Sequence, residues 1–460
     1  MARRIALFGG SFNPPGLHHC RIAEMLAARF DEVRVVPCGP RPDKPGVNTV
    51  PGVFRAALCD LTFGGLERVV VDLFDLEQNV FTRNHELEKR YSAGGEVWHV
   101  VGADWIAGGA KGRSAIHTGW ERGQDLWQGS HFIVLTRPGH KINDKDLPPR
   151  AEVISLDLPS SSSEIRECLL HGRPAVDQLT PRAARYIERY GLYRGNNPAT
   201  WSRGNLTDWH CLIESDPRNE KAQLWFTQLG PHASGHDTDF ILTLGGDGSM
   251  LRAIREHWRK RLPFFGVNAG HFGFLMNAPE PVFAAAFPPD EVIFRQLPLL
   301  FIEIETEDGQ IRTEYAFNDA WVERSTSQSA WMEVRVNSVQ RLSKLVADGA
   351  LVATAAGSTA YARSMGASPL LADTPAWMLV GSNVMEPSHW KSALLSTDSD
   401  VEIINLEPLL RPASAYVDGI TQGPVRSMKA RLSRAATVEL VFLATHDMAE
   451  KIAAIQFGKI

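Results

Sequence analysis

An apolar run that ends in two glycines and a carboxylate, Asp239-Phe-Ile-Leu-Thr-Leu-Gly-Gly-Asp-Gly-Ser-Met-Leu251, constrains this chain more than any other stretch. Phe240 to Leu244 is the kind of short apolar segment that a buried parallel strand uses. Met250 to Trp258 then reads as a helix, with Ser249 placed to cap it. Between the two, Gly245, Gly246 and Gly248 permit a tight turn and let backbone amides approach a ligand closely, and the helix N-terminus favours phosphate. Asp247 is the odd member, because a carboxylate beside a phosphate site repels its own ligand. It becomes useful by taking the proton of an attacking hydroxyl, which makes Asp247 a candidate general base in phosphoryl transfer. Taken alone, the stretch fits equally well a Gly-Asp-Gly turn that merely joins strand to helix.

The N-terminus repeats the theme with different residues. Arg4-Ile-Ala-Leu-Phe-Gly-Gly-Ser-Phe-Asn-Pro-Pro-Gly-Leu-His-His19 is a strand entering a glycine turn, and Ile22 to Phe30 is expected to be helical. Strand-like runs follow at 33–37, 68–72, 97–102 and 131–136, alternating with helical segments such as Val53 to Leu61. This alternation argues for an α/β fold with a doubly wound parallel sheet, whose ligands sit at the carboxyl ends of strands, near Gly9 and Gly10. At 460 residues the chain has room for two or three domains. Its net charge of −5 gives no general attraction to nucleic acid or anionic membranes. The five cysteines, at 20, 38, 59, 168 and 211, form no CxxC pair or zinc spacing and fit reduced thiols in a cytoplasmic protein. No apolar span of membrane length is present.

Gly9-Gly-Ser-Phe-Asn-Pro-Pro15 followed by His18-His19 resembles the nucleotide-binding start of the nicotinate/nicotinamide mononucleotide adenylyltransferases. Further matches come in that family's order: Lys44 in a Pro-Asp-Lys loop, Val-Gly-Ala-Asp104, Leu-Thr-Arg-Pro138, Ser161-Ser-Ser-Glu-Ile-Arg166 and Tyr186 to Tyr193. The resemblance implies that a mononucleotide phosphate attacks the α-phosphorus of ATP and releases pyrophosphate. It also implies a nucleotide site built from Gly9, Gly10, Ser11, Phe12, Ser162 and Ser163. Lys44 and Arg166 would hold the triphosphate, Asp104 a ribose, and Trp120 could stack on the pyridine ring. For Trp120, an ordinary core aromatic is at least as good a reading. The family pattern is His-x-Gly-His, whereas this chain has Gly16-Leu17-His18-His19. Either His18 supplies the missing imidazole from a neighbouring position, or this half binds nucleotide with little turnover.

Tyr193 to Asn205 is rich in Gly, Asn and Pro and reads as a linker, with 196–205 as its core. Beyond it, 209–214 reads as a strand and 219–229 as a helix, leading to the Gly-Gly-Asp-Gly turn. Gly266 to Leu275 is a strand entering a glycine-rich turn. Tyr315 to Glu323 places Asn318 and Asp319 within a strand-like run, an amide and acid suited to ribose hydroxyls or simply a bulge. Asp348 to Tyr361 is a strand followed by a small-residue loop, and Tyr416-Val-Asp-Gly419 is a weak final turn.

In this order the motifs resemble the NAD kinases across about residues 206–445. That resemblance implies phosphorylation of the adenosine 2′-hydroxyl of NAD by ATP. Asp247 would be the base, and Asn318, Asp319, Asp348, Thr359, Ala360, Tyr361 and Ser364 would contact the dinucleotide. Asp319 stands where that family usually has Glu, Ala356 where Thr is usual, and Ile420 where Gln is common. Phosphofructokinases and lipid kinases share the Gly-Gly-Asp-Gly turn but not Asn318 or Gly357-Ser-Thr-Ala-Tyr361. A P-loop is excluded, since no Gly-Lys-Ser/Thr follows the glycines.

The expected architecture is therefore an adenylyltransferase-like α/β domain at 1–195 and a kinase domain at 206–460. The kinase domain would have an α/β part to about residue 270 and a β-rich part beyond it. The expected activity is bifunctional: synthesis of the dinucleotide, then of its 2′-phosphate. A nucleotide-sensing N-terminal half that regulates the kinase is the alternative. ATP, NAD and a mononucleotide are the expected substrates, with no nucleic acid or membrane partner and a homo-oligomer as the assembly. No metal ligand set is visible, so Mg²⁺ is expected to arrive with ATP.

Overall fold

Short strands rich in Val, Ile and Phe, separated by amphipathic helices, build the N-terminal sheet of the computed structural model. The structure describes residues 3–41, 50–136, 142–157, 161–206, 210–229, 238–280 and 291–457, and the chain forms two compact units, Met1–Ala199 and Thr200–Ile460. In the first, β1 (Arg4–Gly10), β2 (Glu32–Pro37), β3 (Val69–Val71), β4 (Glu96–Gly102), β5 (His131–Thr136) and β6 (Ala151–Ser155) lie in the order β3-β2-β1-β4-β5-β6. Every pairing is parallel. Helices cover both faces, so Ala6, Val33, Val35 and Phe132 to Val134 are fully buried, as a central parallel strand requires. The doubly wound expectation holds. The sixth strand went unread because it is a half-exposed edge, with Val153 turned to solvent.

The helix expected at Ile22 to Phe30 instead spans Leu17–Ala27, burying Cys20, Ala23 and Leu26. Its first turn therefore contains both histidines. The Gly16 N–H donates to His19 Nδ1 at 3.1 Å, a contact that starts the helix earlier than its apolar periodicity shows.

In the second unit, β7 (Trp201–Gly204) pairs antiparallel with β11 (Val292–Thr306). This corrects the linker reading of that stretch. Four mostly exposed residues carry no periodicity, and only the backbone pairing with a strand about ninety residues on makes them regular. Tyr193, at the start of the same stretch, is buried in the N-terminal core, and its hydroxyl donates to Asn13 Oδ1 at 2.8 Å. Strands β8 (Cys211–Ser215), β9 (Phe240–Gly245) and β10 (Phe264–Asn268) are parallel neighbours. The 24-residue strand Ile420–Leu443 pairs with β10 at one end and runs antiparallel along β11. It carries the hydrogen bonding into the strands Asp319–Arg324, Gly349–Ala353, Ala376–Ser382 and Ala413–Val417, the β-rich part expected from sequence. Among the described residues no helix is long and apolar enough to cross a membrane.

Two local expectations change. The helix after β9 spans Asp247–His257 with Gly246 as its N-cap and no side-chain cap, so Ser249 lies inside the first turn, 3.4 Å from Asp216 Oδ2. A side chain at Gly245 would meet Ser249 Oγ at 2.5 Å, which is why the turn needs glycine there. The run at 315–323 breaks at Phe317–Asn318 between two strands, Ile311–Ala316 and Asp319–Arg324.

Candidate functional site

The strand order of the N-terminal sheet reverses between β1 and β4, and a cleft of about 500 Å³ opens there. Gly9 and Gly10 at the end of β1 and Ser11 just after it line the cleft together with Gly102, Trp105, Trp120, Arg41 and Arg83. Trp120 packs 5.8 Å from Trp105 and 5.5 Å from His99. It is thus a wall of the cleft and also a partner of the core. Phe12 is not available as a contacting ring: it is 3% exposed, at φ +43, and clamped edge-on by Phe8, Phe63 and His19. A bulky residue holds that backbone conformation only where its surroundings force it.

Half-buried with its ring edge-on to Phe12, His19 has its pKa lowered to about 3, first by loss of water and then by His18. It is neutral, with Nδ1 accepting from Gly16. The two imidazoles are 3.9 Å apart. A Cβ placed on Gly16 would stand 2.8 Å from both Cε1 and Nδ1 of His18. The His18 ring therefore fills the volume that a side chain at position 16 would enter.

The helix Ser162–Leu170, capped by Ser161 and Glu164, is stitched to the same loop. Ser162 Oγ donates to the Pro14 carbonyl at 2.8 Å, and Arg166 donates to the Asn13 carbonyl at 2.6 Å and to Ser163 Oγ at 3.1 Å. Asp104 is exposed on the turn after β4 and does not line the cleft, although its Oδ1 lies over Gly102. Lys44 lies outside the described residues. Two residues escaped the sequence reading. Arg55, 3% exposed, fastens the glycine loop to the end of β2 through the Ser11 and Cys38 carbonyls, at 3.0 and 2.9 Å. Asp75 lines the cleft, holds the Thr82 backbone N–H and hydroxyl, and has its carboxyl pushed up by burial. Both sit on helices with nothing local to mark them.

In the second unit a chain of hydrogen bonds brings the separate motifs together. Asp247 accepts the Phe274 and Leu275 N–H groups at 2.8 and 2.9 Å; burial raises its carboxyl pKa, and these amides pull it back. On the same helix, Arg255 donates to the Asp418 carbonyl at 2.9 Å. The Asp418 side chain then accepts three successive amides, from Phe317, Asn318 and Asp319, at 2.7, 2.8 and 3.2 Å. That clamp makes the break in the strand at Asn318. The weak Asp-Gly turn of the sequence is thus the keystone of the amide–acid pair.

Thr354 closes the other side, with its N–H on the Asn318 carbonyl at 2.9 Å and its hydroxyl on Phe317 at 2.7 Å. Gly357 lies so close that an added Cβ would stand 2.0 Å from the Asn318 carbonyl oxygen. Gly357→Ala is accordingly expected to lower stability by roughly 1–3 kcal/mol, the usual cost of overpacking, read as a drop in the thermal midpoint.

Asp319 is 4% exposed, and burial, followed by the Asp418 charge, pushes its carboxyl up to about 7. The short segment Ala356–Ser364 carries Thr359, Ala360, Tyr361 and Ser364 past it. Tyr361 sets its ring edge-on to Trp321 at 5.0 Å, and Trp321 stacks on Tyr416 at 4.9 Å. Partial burial and the carboxylates of Glu323, Asp319 and Asp348 raise the Tyr361 phenol. Ser364 Oγ is turned back on its own helix, donating to the Tyr361 carbonyl. Asp348 is held by Asn383 at 2.7 Å and by Arg324, which together keep its carboxyl below the usual range. At the far end of the Asp247 helix, His257 pairs with Glu214 at 2.8 Å beside Glu256. Ten residues of helix put that cluster about 15 Å from Asp247.

Comparison with known proteins agrees with this division. The description "ATP-NAD kinase N-terminal domain" matches residues 207–288 and "Cytidylyltransferase-like" matches residues 7–168. NAD kinase of Rickettsia bellii (strain OSU 85-389) is 35% identical over 231 residues, 50% of this chain and 90% of the relative. NAD kinase of Rickettsia felis (strain ATCC VR-1525 / URRWXCal2) is 33% identical over 222 residues, 48% and 87% of the two chains. A solved structure, yeast NADH kinase complexed with NADH, aligns at 18% identity and a TM-score of 0.42, covering 71% of this chain and 87% of its own. With nine-tenths of a relative covered at 35% identity, this chain belongs to the NAD kinase family and carries a cytidylyltransferase-like domain ahead of its kinase half.

Proposed function

We propose that the chain makes NADP in two steps: an adenylyltransferase in about residues 1–195 transfers the adenylyl group of ATP to a pyridine mononucleotide with release of pyrophosphate, and the kinase half phosphorylates the adenosine 2′-hydroxyl of the product. The observation that carries the first step is the His18 ring in the volume of position 16, which keeps two imidazoles beside the glycine loop despite the altered motif. Gly9, Gly10 and Ser11 offer backbone to phosphate, Arg166 and Lys44 counter its charge, and Trp120 stacks the pyridine. No covalent intermediate is needed, since positioned donors stabilise the charge that builds on the α-phosphorus.

For the second step, Asp247 takes the 2′-hydroxyl proton while Mg²⁺-bound ATP supplies the phosphoryl group. Asn318 and Asp319 hold the ribose, and Thr359 to Ser364 the rest of the dinucleotide. The pH dependence follows from Asp319. Above about pH 7 it is a carboxylate that accepts ribose hydroxyls, and below that it carries a proton. The KM for NAD is expected to rise by up to about fivefold between pH 7 and 6, and Asp319→Asn should flatten the dependence. Stability runs the opposite way: this group's contribution is full below its unfolded pKa and is lost as pH rises through about 7.

A kinase fused to the preceding enzyme works without an intervening amidation if the mononucleotide is the amide. A site built around a carboxamide rejects a carboxylate when buried polar partners are left unpaired. Nicotinamide mononucleotide and ATP are therefore expected to give NADP in one pot. The test supplies each mononucleotide separately and follows products by chromatography; only the nicotinate dinucleotide, with no NADP from the amide, would defeat the reading. If the N-terminal half is instead a sensor, neither mononucleotide releases pyrophosphate, while NADP still forms from supplied NAD.

A further inference from the structure

The turn that holds Asp247 is gripped from both sides. Its amides at Phe274 and Leu275 donate to the Asp247 carboxylate. Its flanking carbonyls, Gly273 and Met276, accept from Lys451 Nζ at 2.6 and 2.8 Å. Lys451 comes from the last helix, Met448–Phe457, whose Met448, Ile452 and Ile455 pack in the same core cluster as Phe274, Leu275 and Met276. Four consecutive residues thus present amides to an anion and carbonyls to a cation.

We infer that Lys451 is a positioning residue for phosphoryl transfer, fixing the 273–276 turn, and through it the Asp247 carboxylate, while placing a positive charge behind that carboxylate. The inference rests on the reading of Asp247 as the base. A helix anchored only by its apolar side would need no cation at this spot, and burying an ammonium is costly unless a charge and acceptors meet it. Both are present. Burial brings the Lys451 pKa down to about 8 while Asp247 supports its charge, and Lys451 in turn draws the Asp247 carboxyl downward. The other groups on this side do not replace it. His446, on the segment leading into the helix, is pushed to about 3 by burial and by Lys451 and Arg295, so it is neutral. Arg295 is paired with Asp373, and Asp447 caps the helix through the Glu450 N–H at 3.0 Å.

The test measures NADP formation by the full chain from supplied NAD and ATP, across pH, for Lys451→Met, Lys451→Arg and Asp247→Asn. Loss of turn geometry is expected to lower kcat in Lys451→Met by about 10- to 100-fold, the scale of a displaced reacting group, with the KM for NAD changed less than kcat. The acidic limb of kcat should move to higher pH, because a carboxylate that loses its cation binds its proton more tightly. Lys451→Arg should keep the wild-type limb. A folded Lys451→Met with wild-type kcat and limb overturns the inference while leaving Asp247 in place. Activity in Asp247→Asn overturns the underlying reading instead. If Lys451→Met does not fold, Lys451→Gln, which keeps a donor and drops the charge, takes its place, and an unmoved acidic limb in that variant overturns the proposal.

Discussion

Asp247→Asn is expected to lower the turnover of NADP formation by roughly 10²-fold or more, the contribution typical of a positioned general base. Pyrophosphate release by the N-terminal half should be unchanged. The effect combines two losses. The amide cannot take the 2′-hydroxyl proton. In addition, one of the two backbone N–H groups that face the carboxylate, from Phe274 or Leu275, then meets an NH₂ instead of an oxygen. An unsatisfied buried donor costs about 1–3 kcal/mol, so part of the deficit should appear as a lower thermal midpoint. NADP and pyrophosphate are measured separately in one preparation, which distinguishes a lost base from a misfolded chain. Near-normal NADP formation would remove Asp247 from the chemistry.

The histidine pair gives the second large effect. His19→Ala should lower dinucleotide synthesis by at least about 10²-fold, in line with removal of a donor from a site of developing charge. His18→Ala should be nearly as damaging, with kinase activity on supplied NAD retained in both. Gly16→His alone should also fail, because its new Cβ would press on the His18 ring and on Ile165 Cδ1, each 2.8 Å away. Gly16→His combined with His18→Gly removes the imidazole from that space, leaves only the end of the Ile165 side chain to turn aside, and restores the order His-x-Gly-His, and activity should return. Recovery in the double variant and not in either single one is the signature of exchanged positions. Full activity in His18→Ala would show that one imidazole is enough. Since burial holds His19 near pKa 3, its own titration should leave no break in the rate of the free enzyme between about pH 5 and 9.

What the sequence determined by itself is the set of features that local backbone chemistry dictates. Runs such as Phe240 to Leu244 and Val33 to Pro37 are short, rich in apolar and β-branched residues and followed by turn residues, which favours strands over helices. Gly245 and Gly246 set an amide-rich turn at a helix start, and the order of motifs marked the second half as an NAD kinase and the first as a nucleotidyltransferase-like domain. The ambiguous features were those whose meaning depends on a distant partner. Asp418 looked like a weak turn because its three amides lie about a hundred residues earlier. Lys451 carried no signal because the carbonyls it holds are 178 and 175 residues away. Arg55 and Asp75 sat unmarked on helices, and Trp201–Gly204 passed for a linker until β11 supplied its ladder. Trp120 read equally as core or cleft, and the reversal of strand order between β1 and β4 made it both. Periodicity and turn chemistry act over a few residues and are written in the chain. Which carboxylate meets which amide depends on how strands from opposite ends of the unit come to lie side by side, and only the tertiary structure decides that.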